Sequence, residues 1–170
     1  MSKIKAVFKY ALLIANCQLS IVNYAQEIPV GTWRTHISFN SIHSISLSTD
    51  QVYAASANGV MIFDKADNSL ATITKLDGLS STGITQIAVD QSRQQVLIAY
   101  GNGDLDILRS NEIINFDRLK TSTTVSGSKR INHITVSGNF AYLSTDYGLV
   151  VFDLVQLEVK ETWRDLGPVG

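Results

Sequence analysis

With 170 residues, 45% hydrophobic and 17% charged, the chain is long enough for one ordinary core and shows none of the bias of disordered or collagen-like sequences. A net charge of −1 without any basic run gives no electrostatic footprint for nucleic acid, so no nucleic-acid partner is expected. The single cysteine, Cys17, leaves no pair for a disulfide.

In chain order, residues 1–26 come first and differ from the rest. They hold Lys3, Lys5 and Lys9 but no carboxylate, and an apolar run follows from Tyr10 to Val22, interrupted by Asn16, Gln18 and Ser20. A positive start before a short apolar stretch is the layout of a secretory signal peptide, and the run is shorter than the ~20 residues a spanning helix needs. Cleavage is expected near Ala25 and Gln26, with export of the remainder. Cys17 is then lost, which removes cysteine nucleophiles and Cys-ligated zinc from the mature part. Removing three lysines from 14 Lys and Arg leaves 11 against 15 acids, a net charge of −4.

Residues 27–40 contain Gly31-Thr32-Trp33-Arg34, and Glu161-Thr162-Trp163-Arg164 repeats Thr-Trp-Arg 130 positions later in a chain with two tryptophans. Between them lie three internal repeats. Ile42, Ile84 and Ile131 fall in register, followed by Ile45/Ile87/Ile134 and Leu47/Val89/Val136. Second apolar stretches begin at Gln51, Gln95 and Asn139. Third stretches open at Gly59, Gly103 and Gly148, where Asn-Gly at 58–59 and 102–103 predicts hairpins whose turns need positive φ. Fourth, more polar stretches start at Leu70, Glu112 and Glu158. Four short strands every ~40–45 residues is the period of a β-propeller blade.

The fold class is therefore all-β, with about three four-stranded antiparallel blades in residues 41–170, starting near Ser41, Gly83 and Ser128, and almost no helix. One blade period divides 130 about three times. Trp163 then ends an outermost strand, and Trp33 lies in an N-terminal strand over 27–40 that completes a distant blade. Propellers have four to eight blades, so an incomplete propeller, part of a longer protein, is expected.

Candidate sites are few. His36, His43 and His133 lack metal-ligand spacing; His43 and His133 lie one register step apart on equivalent inner strands and read as hydrogen-bonded residues near the propeller axis. Asp104 and Asp106 share a strand face, a weak cation signal. The Gly-rich corners precede no helix and are not phosphate loops. Ser80-Ser81 sits in a turn with no base at a recognisable offset, and Gly127–Arg130 reads as a solvated basic turn. No catalytic residue, cofactor-binding residue or metal ligand is assigned, no cofactor is expected, and the chain is not read as an enzyme.

The stretch from Asp77 to Gly103, with its Gly-Leu-Ser turn and Ile-x-x-Ile strand, and Ala141–Leu154 resemble the two-component-regulator propeller repeat. Taken with "IPVGTWRTHISFNSI", "FDKADNSL" and "GPVG", residues 28–170 are similar to the N-terminal propeller of the PorZ family of the Bacteroidetes type IX secretion system. That resemblance implies a periplasmic or outer-membrane surface location and a scaffold for protein contacts in cargo sorting, with the sortase PorU as partner. It also implies a link to anionic lipopolysaccharide attachment through a C-terminal domain not present in these residues. The alternative is the periplasmic glycan-sensing propeller of a hybrid two-component histidine kinase. Neither assigns partner-binding residues.

Overall fold

The computed structural model describes residues 38–110 and 112–164. They form three four-stranded antiparallel sheets, each a simple meander. Blade 1 comprises β1 (Ser44–Leu47), β2 (Gln51–Ser56), β3 (Gly59–Asp64) and β4 (Leu70–Thr74). Blade 2 comprises β5 (Ile84–Asp90), β6 (Gln95–Tyr100), β7 (Leu105–Arg109) and β8 (Glu112–Phe116). Blade 3 comprises β9 (Ile131–Ser137), β10 (Phe140–Thr145), β11 (Gly148–Asp153) and β12 (Glu158–Trp163). The predicted leader, Trp33 and His36 lie outside the described residues. Of the 27–40 strand only 38–40 are described, and these form no strand.

Burial explains why the second strand of the middle blade is the most apolar. All six residues of β6 are buried. Side chains alternate across a strand, so an uninterrupted apolar run is what a sheet covered on both faces requires. Val96, Ile98 and Tyr100 join Tyr53, Val60 and Ile87 in the core toward blade 1. Leu97 and Ala99 join Leu143, Val150 and Phe152 in the core toward blade 3. Each fully buried aliphatic side chain there contributes about 1.5–3 kcal/mol. Phe152 meets Phe116 edge-on, with ring centroids 4.8 Å apart and planes at 70°.

Among the described residues helix is confined to the connections between blades, as expected. Lys75–Asp77 makes one 3-10 turn, in which Thr74 and Asp77 form a reciprocal capping box. Arg118–Thr121 is a single helical turn, α1, that buries Leu119.

The inner strands match the sequence register, with Ile45, Ile87 and Ile134 opposite Ala54, Ile98 and Leu143. The third strands match it in two blades of three. Ser56 pairs with Gly59 and Thr145 with Gly148 across two-residue turns. Blade 2 carries one residue more: Tyr100 N–H donates to the Asp104 carbonyl at 3.1 Å, so Asp104 occupies the place of Gly59 and Gly148, and Gly103 lies within the turn. A one-residue insertion is invisible to an alignment that matches glycine to glycine.

Positive φ is also not the reason for Gly59, which lies outside the left-handed region. A Cβ there would stand 2.8 Å from the Ile73 carbonyl oxygen and 3.2 Å from the Phe39 ring. Close approach of the neighbouring strand excludes a side chain. Gly148 has both constraints, with φ +137° and a Cβ position 2.1 Å from the Trp163 carbonyl oxygen.

Candidate functional site

Two ends of the blades differ in content. One carries the β2–β3, β6–β7 and β10–β11 turns with the connections between blades. The opposite end carries the β1–β2, β5–β6 and β9–β10 turns and the third-to-fourth strand turns.

At the first end, Asp104 and Asp106 are buried, and each carboxylate is engaged separately. Asp106, fully buried, accepts from Ser80 N–H (2.8 Å), Ser80 Oγ (2.6 Å), Tyr100 Oη (2.6 Å) and Asn115 Nδ2 (2.9 Å). A buried charge is tolerated only when so solvated by donors, and hydrogen bonds to charged groups are the strong ones. Burial, and then the Asp106 hydrogen bond and charge, push the Tyr100 phenol far above its ordinary range. Asp104 Oδ2 accepts from Lys120 Nζ at 2.8 Å and Asn102 Nδ2 at 3.1 Å. That hydrogen bond and charge hold the Lys120 ammonium above the usual lysine range.

Sequence reading set Ser80 aside for want of a base. The structure gives it another role, as a clamp that ties the Gly78-Leu79-Ser80 turn to β7 while Leu79 enters the core. The signal available was the Gly-Leu-Ser turn itself, without its partner 26 residues on.

His43 Nε2–H donates to the Ile84 carbonyl at 2.9 Å, and Thr85, at the equivalent place in blade 2, donates to the Ile131 carbonyl at 2.5 Å. The two residues are successive copies of one latch between inner strands, which accounts for His43. His133 is exposed on β9. Among the described residues no three His, Cys, Asp or Glu side chains converge as a metal site. In the basic turn, Lys129 Nζ donates to the carbonyls of Lys120 (2.7 Å) and Ser122 (2.6 Å), so one of its charges is structural.

The Thr-Trp-Arg motif is partly explained. Trp163 ends β12, half-exposed, with its indole N–H on Glu161 at 3.0 Å. Arg164 reaches the preceding connection, donating to Thr124 O (3.0 Å) and Thr124 Oγ1 (3.2 Å), and its guanidinium lies 5.8 Å from the Tyr147 ring centroid. The motif's arginine thus fastens an outermost strand to the loop beside it.

At the opposite end, a cavity of about 660 Å³ opens between blades 1 and 2, walled by Gln51, Tyr53, Gln91 and Gln94 over Val89 and Leu108. In the sequence Gln51 and Val89 stand out only as repeat positions, and the other four give no signal.

The family model described as the TSS9, PorZ, N-terminal beta-propeller domain matches residues 52–169. Among solved structures, PorZ of Porphyromonas gingivalis, described as an essential bacterial surface component of the type-IX secretion system, is 24% identical with a TM-score of 0.71. The alignment covers 78% of this chain and 18% of that one. The extracellular domain of the putative hybrid two component system BT4673 from B. thetaiotaomicron gives a TM-score of 0.60 at 16% identity, covering 77% of this chain and 18% of that one. AztD of Citrobacter koseri gives 0.53 at 17% identity, over 72% and 33%. No curated protein matches the chain. These likenesses show the propeller fold, and the chain spans under a fifth of the PorZ structure it matches. Since the family model covers well over half of its residues, the chain belongs to the PorZ N-terminal β-propeller family.

Proposed function

We propose that this propeller is a non-catalytic surface component of the type IX secretion system, acting through protein contacts in cargo sorting. The match of residues 52–169 to the PorZ propeller family carries the reading. It is supported by the use of the buried carboxylates: Asp106 is held by four neutral donors and Asp104 by Lys120, arrangements suited to rigidity and lacking a nucleophile–base pair. Short turns on a rigid sheet, such as Ser56–Gly59, Tyr100–Gly103 and Thr145–Gly148, suit binding without chemistry. Export through the 1–26 leader, surface exposure and cooperation with the sortase PorU belong to this reading. Anionic lipopolysaccharide enters it through a C-terminal domain outside these residues.

Deletion of the full gene in its native host tests it. Cargo with C-terminal sorting domains should accumulate unprocessed and unmodified in the periplasm. The BT4673 likeness favours a second reading, the sensor half of a hybrid two-component system. Normal cargo processing with lost transcription of a polysaccharide-use locus would support that one instead.

A further inference from the structure

The cavity between blades 1 and 2 exists because two arginines that close the next groove have no counterpart there. In blade 2 the β5–β6 turn has four residues, Gln91–Gln94. From it, Arg93 donates to the Gly138 carbonyl at 3.0 Å and to Asn139 Oδ1, across to blade 3. Arg109, at the end of β7, donates to the Leu154 carbonyl at 3.4 Å. Blade 1 has only Thr49-Asp50 between Ser48 and Gln51, and Asp64 stands where Arg109 would be. The turn two residues shorter sends no arginine across the groove: its Thr49 hydroxyl accepts from Gln91 Nε2, and a carboxylate at position 64 cannot donate to a carbonyl. The groove is left open, with a volume of about 660 Å³, inside the roughly 300–1,000 Å³ range of small-molecule sites.

Its chemistry is selective. Val89, Val96 and Leu108 make an apolar floor. Above it, Tyr53 Oη donates to Gln51 Oε1 at 2.6 Å, and Gln51 Nε2 donates to Asp64 Oδ2 at 3.2 Å. This relay fixes the Gln51 amide in place with its second N–H free, since an amide nitrogen carries two donors. At the mouth Gln94 supplies a further amide, and Gln91, whose Nε2 donates to Thr49 Oγ1, supplies its amide oxygen and second N–H. No lysine or arginine lines the cavity, while Asp50 and Asp64 do, so an anion is repelled. Asp64 is already satisfied by Gln51 and by Ala66 N–H at 2.9 Å, which weakens its pull on a cation.

We infer that this groove binds a neutral saccharide of one or two rings. Vicinal hydroxyls need paired donors and acceptors of the amide and phenol kind. The C–H face of a pyranose needs a dry aliphatic floor, and a neutral ligand needs no ion pair. The inference stands apart from the sorting role proposed above and does not depend on it.

Saturation-transfer NMR on the full-length protein tests it, with cellobiose, galactose and N-acetylglucosamine as neutral probes, galacturonate as the anionic one and putrescine as the cationic one. Transfer to the ring protons of at least one neutral sugar is expected. Gln51→Leu should weaken binding about tenfold, the loss of one good hydrogen bond. Gln91→Trp, at an exposed turn residue and so without demand on folding, should block it. Arg93→Ala, in the other groove, should leave it unchanged. No transfer to any neutral sugar, equal binding in the folded Gln91→Trp variant, or preference for galacturonate or putrescine would overturn the assignment.

Discussion

Blade 2 is held on its two sides by the same device near the axis and by different ones at the far end of the grooves. Toward blade 1 and toward blade 3, a single residue of the inner strand, His43 or Thr85, donates to the first carbonyl of the next inner strand. Farther out, Arg93 and Arg109 fasten blade 2 to blade 3, whereas blade 1 offers a two-residue turn and Asp64. The strands repeat closely while turn length and one strand-end position do not. Those two features decide whether a groove is part of the core or open to a ligand.

The comparison can be broken most severely in the core. Phe152 is fully buried against Phe116 in the blade 2–3 interface, and Phe63, its equivalent in blade 1, is half-buried. Phe152→Ala should destabilise by about 3–5 kcal/mol and Phe63→Ala by under about 2 kcal/mol, measured by denaturant unfolding. Similar losses would show that the face of blade 1 turned away from blade 2 is packed as tightly as the blade 2–3 interface. Next in size is Asp106→Ala, which strands donors on Ser80, Tyr100 and Asn115; at about 1 kcal/mol or more for each, a loss of at least about 3 kcal/mol is expected. Arg93→Ala should cost about 1–2 kcal/mol and Gln91→Ala, its neighbour facing the open groove, under about 0.5 kcal/mol.

Smallest are the pH effects, one at each extreme. Burial raises the Asp90 carboxyl, but hydrogen bonds from Ser92, Arg93 and Gln95 and the Arg93 charge outweigh it and hold the group below the usual carboxylate range. Its folded value lies under its unfolded one, so its stabilisation is present above about pH 4 and is lost as pH falls toward the folded value. Tyr100 is raised, so its contribution is intact below about pH 10 and declines as pH climbs beyond it. Melting temperature against pH should fall at both ends. Asp90→Asn should flatten the acid limb and Tyr100→Phe the alkaline one.

The strands were legible because each reports itself locally: alternation in β1, the doubly apolar run of β6 and the polar fourth strands all follow from what one sheet face meets. The inserted residue in the β6–β7 turn was hidden because glycine stands on both sides of it, at Gly101 and Gly103. Asp106 read with Asp104 as a weak cation signal on one strand face, since its donors come from Ser80, Tyr100 and Asn115, which no spacing rule connects. The open groove was illegible for a similar reason, since it results from a turn being two residues shorter than its counterpart in the next blade. Local patterns encode strands; pairwise differences between repeats encode sites.

Most bonds that join one blade to the next end on backbone atoms. His43, Thr85, Arg93 and Arg109 all donate to carbonyls, and Ser44 and Ser46 hydroxyls accept from Ile87 N–H (3.1 Å) and Val89 N–H (3.0 Å). Every strand offers such groups regardless of its side chains. A copied blade would therefore find its contacts ready on any neighbour, so tandem duplication of the gene segment needs no matching mutations on the other side of the joint. Divergence is then free to act on the turns, and a groove can gain or lose a ligand while the blades on either side go on fitting one another.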